Sequence, residues 1–387
     1  MGDAEQLIAR VVHGIDAIDA DQWDACSGPG SIFTSHAFLS ALEASGSAAP
    51  ATGWAPYHIV LEQPGGGIVG AVPLYLKGHS YGEYVFDHAW SNAYERAGGR
   101  YYPKLQSAVP FTPVTGPRLL TVPGPGVTAI KATLGRACIE IAERLNLSSL
   151  HFTFPTRDDW DFLGENGFLL RTDQQFHWTN MDYSSFDDFL GTLSSRKRKA
   201  IRRERRGALA DGMVIETLTG DAITERHWDE FFAFYLDTGA RKWGHPYLNR
   251  EFFNLIGQTL ADRTVLIRCL ADGRAIAGAL NFIGGDTLYG RYWGCLEDHR
   301  FLHFEACYYH AIDYAIDHGL AGVEAGAQGS HKLARGYLPR RTYSAHWIRD
   351  PNFRTAVRDF LRQERRMVES DMGQLARFAP FRRGDGG

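Results

Sequence analysis

Between residues 127 and 145 apolar side chains recur every three to four positions and Asn146 ends the run, so the spacing predicts a helix. The same period predicts helices over 36–45, capped by Thr34 or Ser35, and over 158–166, stopped by Gly167. Short apolar runs predict strands over 57–62 and 68–77, with Pro64-Gly65-Gly66-Gly67 as the turn between them, and further strands over 149–154 and 176–181. The opening residues to about Asp24 read as a polar segment. Residues 81–102 are rich in aromatic side chains, and 103–126 are punctuated by Pro and Gly without a period. That stretch predicts an ordered loop over a cleft.

The second half repeats the order of elements. A strand is predicted over 213–217, amphipathic helices over 227–238 and 250–260, and a hairpin over 265–271 and 275–284 about Asp272-Gly273. A third strand follows over 287–294, then a helix over 304–318 closed by Gly319. A short strand over 322–326, a helical turn over 331–336, a closing strand over 342–348 and a terminal helix over 356–368 complete the chain. The pattern is that of an α/β (α+β) protein with two similar units joined near residues 180–185, hence domains 1–181 and 182–387. The repetition lies in element order only, because no residue-level repeat is visible.

Charge changes the picture at one place. Residues 195–206 hold eight basic side chains and one acid, in a chain of 387 residues whose formal net charge is −4. Phe186, Phe189, Leu190 and Leu193 upstream have helical spacing, which Ala200 and Ile201 continue. Arg198, Arg202 and Arg205 would then fan outward and collect an anionic ligand or carrier. A merely solvated charged face is the competing reading. Hydrophobic content of 44% and aromatic content of 13% suit well-filled cores, and 42 dispersed glycines exclude a fibrous protein. The five cysteines form no CxxC pair, which excludes a zinc knuckle and points to reduced thiols and a cytoplasmic setting. The acidic start of the chain lacks a signal-peptide pattern, and no apolar run reaches membrane-spanning length.

Candidate chemistry gathers between residues 286 and 346. Tyr289, Arg291, Tyr292 and Trp293 share a predicted strand, and Glu305 opens the next helix. Glu324 precedes the segment Ala325-Gly326-Ala327-Gln328-Gly329-Ser330-His331-Lys332, and Arg335, Tyr343 and His346 follow. Glycines around Gln328 let backbone amides approach a ligand, which favours an anion or a developing oxyanion. Lys332 and Arg335 add charge, while Glu305, Glu324, His331 or His346 could take a proton from an amine. Glu305 may be read equally as a complement to its helix dipole. Arg241, Lys242, Trp243 and His245 form a basic and aromatic loop of the kind that binds ligands. His303 and His310 carry no metal-binding motif, so no metal is expected.

Several blocks resemble one family: "FLGTLSSRKRKAIRRERR" (189–206), "RKWGHPYLNREFF", "LYGRYWGC", "LHFEACYYHAIDYAI", and "GLAGVEAGAQGSHKLARGYLP" with "TYSAHWI" (319–348). They are similar to the FemAB-like predicted N-acyltransferases of bacteria, in the GNAT superfamily. The resemblance spans about residues 30–370 and implies two tandem GNAT-like domains, each a mixed sheet flanked by helices. It further implies an active cleft in the second domain near the domain interface. The implied activity is acyl or aminoacyl transfer to an amine, with no tightly bound cofactor. In the better-known Fem branch the donor is aminoacyl-tRNA and the acceptor a cell-wall precursor. An acyl-CoA donor acting on a small-molecule amine is the first alternative. The pyrophosphate loop Arg/Gln-x-x-Gly-x-Gly/Ala is not evident between Cys295 and Glu305, which weighs against it. A non-catalytic binder of RNA or a phosphorylated glycan is the second. One departure stands out: Ser330 precedes the His-Lys pair where the family leads one to expect an acid, which leaves Glu324 or Glu305 as base.

Overall fold

The alternation Ile-Ala-Arg-Val-Val near the start is an edge strand, Ile8–Val12, rather than a polar segment; Arg10 pairs outward with Glu62 at 2.7 Å. Asp19 then caps the helix Ala20–Ser27 by accepting from the Gln22 N–H. The computed structural model describes residues 7–242, 246–326 and 329–382. The chain forms two units, Met1–Asp173 with Arg341–Glu369, and Gln174–Arg340 with Ser370–Gly387. The sequence suggested a single crossing near residue 181. The chain changes unit within the strand Leu169–Thr179, within Leu338–Ile348, and once more within the terminal helix Pro351–Arg377. The closing strand belongs largely to the first unit because Ser344–Ile348 pairs antiparallel with Ser149–Thr153.

In the first unit, Ile8–Val12, His58–Glu62, Ile68–Val72 and Leu120–Thr121 make one antiparallel sheet. Pro73 divides the predicted second strand, so that Leu74–Lys77 joins a different run with Trp54–Pro56, Lys104–Ser107 and Ser149–Thr153. Lys104–Ser107 and Ser149–Thr153 are parallel, so a crossover must link them. The helix Val127–Arg144 is part of that crossover and packs Leu134, Cys138 and Ile141 against Leu105, Leu150 and Phe152. The opposite face is polar yet buried. Lys77 stands beside Lys104, and Gln106, His151 and His346 lie in register across three strands. Residues 81–102, whose sequence shows only aromatic density, hold a helix His88–Arg96 and place Glu83 and Asp87 on that face.

In the second unit Val214–Thr219, Thr264–Ala271, Arg274–Gly284 and Thr287–Cys295 run antiparallel. Gly322–Glu324 then pairs parallel to Thr287–Cys295, and antiparallel to the end of Leu169–Thr179. The crossover is one helix in three pieces, Leu302–Phe304, the π turn Glu305–Tyr309, and His310–Asp317. Each unit thus has antiparallel strands followed by one parallel pair spanned by a helix.

Glycine sets the packing of the helix Glu225–Lys242. A Cβ at Gly294 would sit 2.3 Å from the Phe234 carbonyl carbon, so the helix backbone rests directly on the strand. The other face buries Ala277 and Ala279 with Leu302, Ala306, Ile312 and Ile201. The basic segment does not continue the upstream helix: Phe186–Thr192 ends, Leu193 turns extended, and Ser195–Ala208 starts anew. Ser194 donates its N–H to the Pro380 carbonyl at the break.

Candidate functional site

Strand register builds the site. His177, Glu324 and Tyr289 are paired neighbours on three adjacent strands, so their side chains form one row. Glu324 ends its short strand, while Thr287–Cys295 runs on beyond it. The register of that longer strand slips by one residue, so Gly290 faces Asn281 and Tyr292 faces Leu280. Arg291 is the extra residue of this bulge, and a bulge re-aims a side chain.

Glu324 is buried; its Oε1 lies 3.5 Å from His177 Nδ1, and its Oε2 has no hydrogen-bond partner among the described residues. Burial pushes the carboxyl up to about 7, opposed by Arg291. Burial also pushes His177 down to about 3, helped by Arg340, Arg291 and Lys332, so that imidazole is neutral. Lys332 is buried too and donates to the Gly326 carbonyl at 2.7 Å. Burial, with Arg291 adding to it, brings its ammonium down to about 7. Gly326 has a φ of 78°, and a Cβ there would lie 3.8 Å from the Arg291 guanidinium and 4.0 Å from Lys332 Nζ. One carboxylate, the Arg291 guanidinium, the Lys332 amine and an open backbone therefore meet just past the strand end. Such a cluster can accept a proton and face a developing negative charge.

Other sequence candidates are placed differently. Glu305 is buried under Arg205, which donates to it at 2.8 Å and to Asp313 at 2.5 Å. His310, which bonds Thr217 at 2.7 Å, offers a ligand atom within 4.8 Å of those of Glu305 and Asp313. The guanidinium already spans the two carboxylates there. Arg198 donates to the Gly191 and Leu193 carbonyls, and Arg202 pairs with Asp187 at 2.8 Å. Arg198 and Arg205 are thus engaged inside the protein, while Arg202 does reach outward, in an exposed pair with Asp187. Arg335 is buried over Phe304 at 3.6 Å and binds Glu204, the one acid of the basic block, at 2.8 Å. His331 is exposed and meets the Tyr308 hydroxyl at 3.0 Å.

Tyr292 packs among Tyr235 and Phe253, whereas Trp293 meets His303 edge-on at 5.4 Å, so the pair does not line one surface. Arg241 donates to the Cys295 carbonyl at 2.5 Å. Tyr343 and His346 belong to the first unit, against Trp160 and His151 respectively. Trp243, His245 and Gln328 lie outside the described residues, as does the side chain of Lys242. His177 had no local signal at all, since only the pairing of distant strands brings it to Glu324. Arg291 was visible as a strand cation, but not as a bulge.

The first unit holds a second buried cluster. Lys104 Nζ donates to Ser80 at 2.9 Å, Glu83 at 2.8 Å and Asp87 at 2.6 Å. Tyr101 donates to Asp87 at 2.7 Å, and His151 and His346 meet through their Nδ1 atoms at 2.7 Å. Here the cations already have carboxylate partners.

The chain matches the FemAB-like family, described as peptidoglycan biosynthesis/recognition, over residues 14–383. No curated protein matches it. Among solved structures it is similar to FemX at 13% identity, covering 90% of this chain and 100% of that one with a TM-score of 0.54. It is similar to L-PGS from Bacillus licheniformis at 9% identity, covering 83% and 95%, with a TM-score of 0.50. A conserved protein of unknown function from Bacteroides thetaiotaomicron matches at 11% identity, covering 88% and 100%, also at 0.50. At these identities the likeness is one of fold.

Proposed function

The chain belongs to the FemAB-like family, and from that premise we propose that it moves an acyl or aminoacyl group from an anionic carrier to an amine, with Glu324 as base. The observation that carries this reading is the Glu324 carboxyl, buried with one oxygen lacking a partner and held near 7 beside Arg291 and Lys332. A base poised near the working pH is the most effective one. The amine nitrogen attacks the carbonyl carbon and Glu324 takes the amine proton. The carbonyl oxygen becomes an oxyanion facing Arg291 and Lys332. The tetrahedral centre then collapses, the carbon–carrier bond breaks, and the leaving oxygen or sulfur receives the proton from Glu324.

The family description points to an amine of a cell-wall precursor as acceptor. Aminoacyl-tRNA is the donor we favour, because the pyrophosphate loop of acyl-CoA enzymes is not evident between Cys295 and Glu305. The test is an assay of the purified chain with precursor amines and either aminoacyl-tRNA or acyl-CoA, with the product identified by mass. Transfer from aminoacyl-tRNA is expected. Transfer from acyl-CoA alone would replace the donor, and no transfer from either would overturn the assignment.

A further inference from the structure

The basic helix Ser195–Ala208 engages Arg198 and Arg205 in internal contacts and Arg202 in an exposed pair with Asp187, yet a second set of cations remains. Arg196, Lys199, Arg203 and Arg206 are all exposed, and none has a hydrogen bond or ion pair among the described residues. Their spacing of three, four and three residues puts them on one face, within an arc of about 80° at ~100° per residue. Ile201 and Ala208, the buried residues of the helix, lie on the opposite side. The stripe runs about 15 Å at 1.5 Å per residue. The whole chain is acidic, so this is a local concentration of charge.

What lies beside the stripe separates two anionic partners. Leu209 ends the helix with 42% of its surface exposed. Phe301 packs by Gly207, where a Cβ would sit 3.1 Å from its ring, and the Arg300 guanidinium covers that ring at 4.6 Å. An unstructured single strand of nucleic acid is gripped by cations together with free aromatic faces on which bases stack, whereas folded RNA needs only the phosphate contacts and is told apart by the test below. Here the nearby aromatic ring is covered and the exposed neighbour is aliphatic. Cations next to an exposed aliphatic side chain suit a lipid surface, where headgroups meet the charge and the aliphatic group enters the acyl boundary.

We infer that the stripe of Arg196, Lys199, Arg203 and Arg206, with Leu209 beside its last turn, docks the protein on an anionic phospholipid membrane. The attachment is peripheral, electrostatic and reversible.

The test is co-sedimentation of the full chain with vesicles of phosphatidylcholine alone or containing phosphatidylglycerol. Binding to the anionic vesicles only is expected, lost when salt is raised from 0.1 to 0.5 M, since screening shortens electrostatic reach. R196E/K199E/R203E/R206E should reduce binding at least tenfold while its melting temperature stays that of the parent, and L209D should reduce it further. Absence of binding to anionic vesicles, or equal binding by the quadruple variant, would overturn the inference. So would a mobility shift with bulk tRNA that the variant loses while vesicles are ignored, which would assign the stripe to RNA. None of these readouts depends on acyl transfer, so the proposed reaction can fail or stand independently.

Discussion

The roles of the carboxylates follow from what neutralises each. Glu305 and Glu324 are both buried acids in the second unit, and both were candidate bases from the sequence. Glu305 is pushed up by burial but held by Arg205, so its lone pairs are engaged. Glu324 keeps an oxygen without a partner, and its neighbour Arg291 pulls its carboxyl down from where burial alone would leave it. Transfer that needs ionised Glu324 should therefore rise with pH through about 7. Replacing Arg291 with Met removes the influence that lowers the carboxyl, so the acidic limb of the kcat/KM profile should move to higher pH. A limb that stays put or moves down would show that another group governs the profile.

At the scale of elements, the periodic parts were legible and the paired parts were not. Helix Val127–Arg144 and the hairpin around Asp272-Gly273 follow from local spacing, and the structure has both. The helix over 36–45 is also present as His36–Ala44, with Ser35 as the cap that accepts from the Phe38 N–H. The row His177–Glu324–Tyr289 depends on strands far apart in the chain, one only three residues long, which no local period encodes. The buried polar face of the first unit is hidden for a similar reason. Lys104 and Gln106 alternate with Leu105 as in any half-exposed strand, and nothing local says that the intervening segment folds over them.

Ion pairs between elements yield two stability predictions. Arg205→Ala strands the Glu305 carboxylate and should cost about 3 kcal/mol, the low end for breaking a buried pair because Asp313 is partly exposed. Denaturant unfolding measures this, and a change below about 0.5 kcal/mol would mean the contact carries little. Lys104→Met leaves Asp87 buried without its cation and Glu83 with only Lys77 at 4.0 Å, and should cost at least as much. The same method checks it, and an unchanged unfolding midpoint would show that the cluster contributes nothing to stability.

Across the whole molecule, the two units share an element order but differ in what their parallel pairs carry. In the first, Lys104 forms ion pairs with Glu83 and Asp87, each of which also keeps one oxygen without a hydrogen-bond partner among the described residues. In the second, Glu324 lies 3.5 Å from the neutral His177 and likewise keeps an oxygen without a partner. An acid kept in that state weighs against folding. Its folded value of about 7 exceeds the ordinary 4.5, so its contribution is fully present below 4.5 and is lost as pH rises through 7. At pH 8 the ionised group is a net cost, which Gln at this position would not bear. The central claim is therefore tested by comparing wild type with Glu324→Gln at pH 8 for both transfer turnover and melting temperature. The account predicts that turnover falls by about 10²–10⁴, the range for losing a general base, while the melting temperature stays level or rises. Retained turnover, or a loss accompanied by a falling melting temperature, would contradict it.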